Sequence, residues 1–430
     1  MPEYLAPGVY VEEVSFRSKS IEGVSTTTTA FVGETLKGPS GAPPNLLTSF
    51  SEFEQIYGGL GDIEYFDNQG NKAGEHTHLN YIAHAVRAYF DNGGRRLYVA
   101  RVMPGSAKEA ESKALTLSQQ GSTVRGGTRR ATAGNEANIK FIARFKGKGG
   151  EGTVSLFKQE TPVSFETIVN LPEGSFLWQD NKYYLKTQKD GKPEDWEDEE
   201  GNKLEGPKEA DTAPSDGSGD STIQMTVITL NVVTEAGGNI LSFSDLGLDS
   251  RHPRYIVDVL AEKPTRKSDG LNNPFAIKIS DSSISAFQLH NILKTVLSTQ
   301  EQQEVVQITG GLNGDGPPNA KAFEDTLKQL EGLEDISILA SPGYSAYQDK
   351  NTVTSIQDAL ISYVSKPRRY QIAVLDTPSE LEPGGIQLRQ VRSRIDTHRA
   401  ALYYPWVVIQ NPLWQPGDFS QPVEIALPPS

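Results

Sequence analysis

The run TGGLNGDGP at positions 309–317 is the segment of this 430-residue sequence whose composition most invites a chemical reading. Backbone N–H groups of successive glycines can cradle a phosphate, but a P-loop needs a Lys-Ser/Thr pair opening the next helix, and none follows. The dinucleotide fingerprint fails as well, because there a helix begins inside the motif. Asn313 and Asp315 suggest calcium, yet the remaining oxygen ligands and the terminal Glu are missing at the required spacing. The run therefore reads as a structural loop.

The other chemistry-bearing residues are similarly isolated. Six histidines are present: His76, His78, His84, His252, His290 and His398. His76 and His78 can share a strand face with His84 in the helix beyond, which is no known metal spacing and has no acidic partner in register. Ser341-Pro342-Gly343 follows a strand but lacks the nucleophile-elbow pattern. Asp376 stands at the carboxyl end of a strand, where α/β enzymes often place a carboxylate; without a partner it reads as a turn cap. Arg389, Arg392 and Arg399 are expected on one helix face with Asp396 among them, a solvated face or a surface for an acidic partner. Arg125, Arg129 and Arg130 read as a small basic loop. No catalytic, cofactor-binding or metal-binding residues are expected, and the chain is read as a non-enzyme.

These residues have to be positioned by two kinds of element. TAFVG at 29–33 reads as a buried strand, Ser49 with Glu52 as a capping box opening a helix through Ile56, and Leu79, Ile82, Ala83, Val86 and Phe90 as one face of a helix from His78 to Asn92-Gly93-Gly94. LYVARV at 97–102 is then a strand. Residues 104–252 are richer in Gly, Thr and Ser, with strand-like runs at 139–145, 152–157 and 223–233, and read as an inserted β-rich domain. Helix faces then alternate with strands: Ala322–Leu330 before ISILA (336–340), Val353–Tyr363 before YQIAVL (370–375), and Ile386–Ile395 before LYYPWVVI (402–409). The pattern predicts a multi-domain α/β protein whose mainly parallel sheet is flanked by helices. Its parts are an extended N-terminal arm (1–20), an α/β segment (21–103), the β-rich insertion (104–252) and an α/β core (253–430).

Composition narrows the function class. Net charge is −14, which argues against a general nucleic-acid binder. Positions 190–220 hold twelve acidic and three basic residues, a net of −9, so the rest of the chain carries only −5. The surrounding stretch 187–220 is expected to be a flexible acidic loop on the outer surface, tolerant of removal. No apolar run approaches the roughly eighteen residues of a membrane span, so no membrane insertion is expected. The opening MPEYLAPGVY has neither a basic leader nor an apolar core, so no secretory leader is expected. With no cysteine, disulfides and thiolate chemistry are excluded.

Several strings resemble, in order, those of contractile tail sheath proteins of phages, phage-tail-like bacteriocins and extracellular injection systems. They are PGVYVEEV (7–14), TAFVGETLKGP (29–39), SFSEFEQIYGG (49–59), AVRAYFDNGGRRLYVARV (85–102), GGLNGDG (310–316), LEGLEDISILASPG (330–343), RRYQIAVLDTP (368–378) and ALYYPWVVIQNP (401–412). The resemblance implies a structural subunit that stacks as hexameric discs around an inner tube, between baseplate and terminator proteins, and contracts to drive the tube. It implies assembly in a bacterial cytoplasm and a place in a phage tail or an extracellular injection particle. It also implies an inter-subunit arm, Tyr4, Pro7, Gly8, Val9, Tyr10, Val11, Glu12 and Glu13, that adds a strand to a neighbour's sheet, with Arg389, Arg392 and Arg399 meeting a subunit or the tube. Sheath proteins of this kind continue past the position of Ser430 with a further domain, so the native product is expected to extend beyond it. Two alternatives stand beside this one: an α/β enzyme using the Gly310–Gly316 loop and Asp376, and a fibre or adhesin subunit using the β-rich insertion.

Overall fold

A computed structural model describes residues 28–67, 69–116, 138–188, 195–204, 225–281, 283–298, 304–367, 369–379, 381–417 and 420–430. The arm at 4–13 and the Arg125–Arg130 cluster lie outside the described residues.

The chain opens with β1 (Thr28–Gly33), β2 (Leu46–Leu47), α1 (Phe50–Tyr57), β3 (Ile63–Phe66), β4 (Lys72–His78), α2 (Tyr81–Asp91) and β5 (Arg96–Arg101). All six residues of β1 are buried, as a strand covered on both faces requires. Ser49 caps α1 by accepting the Glu52 N–H at 3.2 Å, but the Glu52 carboxylate reaches past it to the Thr48 N–H at 2.7 Å, so the expected box closes one residue early. The second helix starts at Tyr81 under an Asn80 cap, not at His78, because His78 ends a strand that pairs with β3.

The middle of the chain forms β6 (Leu115–Thr116), β7 (Asn138–Ala143), β8 (Gly152–Val163), α3 (Phe165–Ile168), β9 (Phe176–Gln179), β10 (Lys182–Lys186), β11 (Trp196–Glu197), β12 (Met225–Ala236) and β13 (Asn239–Leu246). It continues through α4 (Ile256–Val259), α5 (Lys267–Asn272), β14 (Phe275–Ile279), α6 (Ala286–Leu293), β15 (Leu297–Ser298) and β16 (Val306–Ile308). β8 and β12 are twelve residues each and pair along their full length, from Gly152 opposite Ala236 to Val163 opposite Met225. β15 and β16 also pair with β8, and β14 pairs with β7. The β-rich unit therefore gathers residues to Ile308, beyond the return of α/β pattern expected at 253. Apolar residues of β14 and α6 fill its core beside Phe141, Leu156 and Val232.

Part of the acidic stretch is ordered, contrary to expectation. Trp196 is fully buried and Leu204 nearly so, and with Ile168, Leu177, Met225 and Val227 they make a small separate core. Between them Asp198 accepts the N–H groups of Glu200 at 3.0 Å and Asn202 at 2.7 Å, which closes the turn. Two apolar side chains offset the local charge, a detail that a net count hides.

The last part alternates α7 (Ala320–Lys328), β17 (Ile338–Ala340), α8 (Lys350–Val364), β18 (Ile372–Asp376), α9 (Ile386–Arg394) and β19 (Ala400–Tyr403), then ends on β20 (Val407–Gln410) and β21 (Glu424–Leu427). One six-stranded sheet has the order β19-β18-β17-β1-β5-β2, parallel except for β2. Alternate residues serve opposite faces: Ala30, Val32, Tyr98 and Ala100 pack under α7 and α8, while Phe31, Leu97 and Val99 pack under α1 and α2. The sheet is thus mainly parallel and helix-flanked, as the pattern implied. Two details differ. The run expected as one strand at 402–409 is broken at Pro405, which has no N–H to give a ladder, so β19 joins the parallel sheet while β20 pairs with β21. And α9 buries none of its residues: Ile386 is 75% exposed, and the buried Ile395 lies past the helix end.

Candidate assembly surface

The strand order reverses between β1 and β17, because the connection to β5 runs over one face and the connection from β17 to β18 over the other. Ligands of open α/β sheets sit outside the carboxyl ends of strands at such a reversal. Here that crevice is filled by the protein. The Glu34 carboxylate, just past β1, accepts the hydroxyls of Tyr65 and Tyr347 at 2.8 Å each. Edge-on ring contacts place His78 between those two tyrosines. Burial raises the Glu34 pKa to about 7, with the two tyrosine hydrogen bonds and the charge of Arg101 pulling the other way. Arg101 ends β5, is buried, and donates to the carbonyls of Gly38 at 2.9 Å and Lys146 at 2.8 Å. Glu34, Tyr65 and Tyr347 escaped sequence reasoning, since they lie far apart along the chain and no local spacing marks them.

Asp376 ends β18 and is completely buried. Burial raises its pKa to about 7, and the Ser430 hydroxyl and its N–H, the latter at 2.9 Å, pull it back. The carboxylate thus fastens the segment after β21, the capping role read for it applied to a residue far away in sequence. Two buried histidines, His84 and His290, are held down to about 4, first by burial and then by nearby cations. Among the described residues no three His, Cys, Asp or Glu side chains group as a metal site.

The glycine-rich loop spends its polar groups on the protein. Lys108 and Leu312 exchange N–H to carbonyl bonds at 3.0 and 3.1 Å, and Glu111 and Thr309 do so at 3.0 and 3.2 Å. Buried Asn313 donates to the Glu64 carbonyl at 2.8 Å and accepts the Lys148 N–H at 3.0 Å, while Gly314 accepts the Phe66 N–H at 2.7 Å. A Cβ at Gly311 would come within 2.3 Å of the Gly147 carbonyl oxygen, so only glycine allows the two chains to cross there. The loop is a joint stitching the α/β unit to the β-rich one.

The three arginines are not brought together as expected. Arg389 is exposed on α9. Arg392 caps that helix through the Ile395 carbonyl at 2.7 Å, while Arg399 lies beyond the helix end and donates to the Arg369 carbonyl at 2.8 Å. A different surface stands out nearby. β19 is the outer strand of the parallel sheet, and among the described residues β20 and β21 pair only with each other. Tyr403, Val408 and Val423 are exposed around these strands, Val408 by 62%. On the ribbon's other face Val407, Ile409 and Leu427 face Ala85, Ala88 and Tyr89 of α2 across a cavity of about 600 Å³.

No protein-family model matches the chain, and no curated protein does. Among solved structures the chain is similar to the sheath tail protein Lin1278 from Listeria innocua, at 10% identity and a TM-score of 0.34. The match covers 81% of this chain and 48% of that one, so this chain spans about half the length of that protein.

Proposed function

We propose that the chain is a structural subunit of a contractile tail sheath, polymerising as stacked hexameric rings around an inner tube. The observation that carries this reading is the helix-flanked parallel sheet, on which the sheath-like strings fall in chain order. Among the described residues β20 and β21 pair only with each other, and an open strand edge takes a further strand, whether from a neighbouring copy or from more of the native product. Added strands satisfy such edges through main-chain hydrogen bonds, each contributing about 1 kcal/mol net. The eight sheath-like strings support the same reading, since those within the described residues fall on β1, α1, α2–β5, the glycine-rich joint, β17, β18 and β19–β20. The arm expected from Tyr4 to Glu13, contributed by a neighbouring copy, would supply such a strand, with Val9 and Val11 toward one face and Tyr10 and Glu12 toward the other. Contraction is then a shift between two packings of rigid subunits. Arg389 is the arginine available to an acidic neighbour or tube, the other two being engaged within the chain.

Val11→Pro in the native gene product tests the arm, because proline removes a ladder donor and fixes φ. Folded, soluble subunits that no longer form tubes by electron microscopy are expected, with a circular dichroism spectrum like the parent's. Normal tubes that still contract would overturn the strand-addition reading.

A further inference from the structure

The β20–β21 ribbon is tied to the parallel sheet near one point, the carboxyl end of β18. At the ribbon's start the Tyr404 hydroxyl donates to the Leu381 carbonyl at 2.8 Å, and the Trp406 indole donates to the Thr377 carbonyl at 2.6 Å and meets Tyr81 edge-on. At its far end Ser430 donates its N–H and its hydroxyl to the two carboxylate oxygens of Asp376. Asp376 itself is fixed from behind: its N–H donates to the Tyr344 hydroxyl at 3.2 Å, and Gln357 donates to its carbonyl at 3.0 Å. Between these ties the ribbon stands off α2 across the cavity of about 600 Å³, and Ser430, half-buried, forms part of that cavity's wall.

The carboxylate at this tie is completely buried, and among the described residues no cation pairs with it. The titratable groups around it are engaged elsewhere or neutral. Arg394 of α9 pairs with Asp358 of α8 at 3.3 Å, Tyr344 is bonded to the Asp376 backbone, and Tyr403 of β19 lies opposite Asp376 in register. Across the cavity His84, held down to about 4, is neutral at ordinary pH, and Arg87 pairs with Asp91 at 3.6 Å. Burial of an unpaired carboxylate disfavours its charged form, and the Asp376 carboxyl is pushed up to about 7 against two Ser430 bonds that favour the charge. Both of its oxygens face Ser430, so lifting that residue brings water to the carboxylate and removes most of the cost of ionising it.

We propose that the β20–β21 ribbon is a pH-gated strap, latched to the sheet by Ser430 on Asp376 and released as that carboxyl ionises. Release bares Ile425 and Leu427, buried in the latched form, together with the α2 wall of the cavity. This is a property of the single chain and does not depend on the assembly role. The latched form keeps a proton that the released form loses, so release is favoured as pH rises toward 7 and levels off above it. Hydrogen exchange of the purified chain at pH 5 and pH 8, with each rate scaled by the intrinsic rate at that pH, tests it in peptides spanning 404–411 and 423–430. The opening constant of the ribbon should rise about tenfold or more between the two pH values, by more than that of peptides from β1 and α8. Asp376→Asn keeps an acceptor for the Ser430 N–H but cannot ionise, and it should hold the ribbon at its pH 5 protection at both pH values. Trp406→Phe removes the other tie and should raise opening at both, with the ratio between them retained. Ribbon protection that is the same at pH 5 and pH 8 overturns the proposal, as does a pH ratio that Asp376→Asn leaves unchanged. If Asp376→Asn folds poorly, wild type and Trp406→Phe still decide: a pH ratio equal in ribbon and sheet peptides would mean opening of the whole sheet and overturn the strap.

Discussion

Glu34→Gln isolates the energetic cost of ionising the crevice between β1 and β17. The folded-state pKa of Glu34 is raised from 4.5 to about 7, first by burial. A raised carboxyl pKa means the native state holds its proton over a range in which the unfolded chain has lost it. Stability therefore falls as pH climbs from about 4.5 to about 7 and stays lower above. The shift corresponds to at most about 3 kcal/mol, and solvent relaxation around the carboxylate brings the observed value lower. Asp376, raised to about 7, contributes with the same sign. His84 and His290 contribute oppositely, because pKa values held down to about 4 make the native state gain stability as pH rises from 4 to 6.5. The wild-type profile is thus a near-cancellation and diagnoses little by itself. The difference between Glu34→Gln and wild type removes the shared groups, among them Arg101 and His78 around the site. Urea unfolding at pH 5 and pH 8, following the transition that carries β1, should show the variant gaining about 1–3 kcal/mol on wild type between the two pH values. A difference that stays flat, or one that shrinks as pH rises, would refute the argument that Glu34 is ionised at a cost.

Trp196→Ala should destabilise the β-rich unit by about 3–5 kcal/mol, read as an early transition in calorimetry, since it empties the small core it shares with Ile168 and Met225. Replacing residues 205–220 with a short Gly-Ser linker should leave that transition in place, whereas a replacement beginning at 187 should remove it. Arg101→Met should cost about 3–5 kcal/mol in the unfolding of the α/β unit, because buried carbonyls and Glu34 lose their cation; an effect under 1 kcal/mol would mean the site collapses without it.

The parallel sheet was legible because a strand buried on both faces writes a continuous apolar run, and a helix over it writes a 3.6-residue stripe. TAFVG and the Val353–Tyr363 stripe carry that information locally, and β1 and α8 appear where they should. The errors have equally local causes. LYYPWVVI is apolar throughout, so periodicity cannot see that Pro405 divides it. Ile386, Val391 and Ile395 have the spacing of a buried stripe, but spacing reports which side chains share a face and not whether anything lies beneath it. Trp196 was masked by eight acidic residues within ten positions of it in the sequence, because net charge averages over the side chains that decide burial.

The candidate surface was less legible than the fold for a physical reason. A strand that lacks a partner and a strand that has one carry the same residue pattern, since the ladder uses only backbone groups. Val407 to Ile409 therefore read simply as the end of a strand at 402–409. In the structure the two faces of that ribbon separate: Ile425 and Leu427 are buried, whereas Val408 and Ala426, paired opposite each other, are exposed. Among the described residues that ribbon has two open edges, and its outward face holds Val408 and Ala426 beside Gln410 and Glu424; exposed edges of this kind are ordinarily guarded by charge or proline. Here the only charge on the two strands is Glu424, at one end. Lysine at Val408 supplies the missing charge without touching the buried face. If strand addition here joins copies, Val408→Lys should leave the melting temperature within about 1 °C of the parent, as surface changes do, and abolish higher-order assembly measured by sedimentation. Assembly that survives with a charge at the centre of the exposed face would move the contact elsewhere on the molecule.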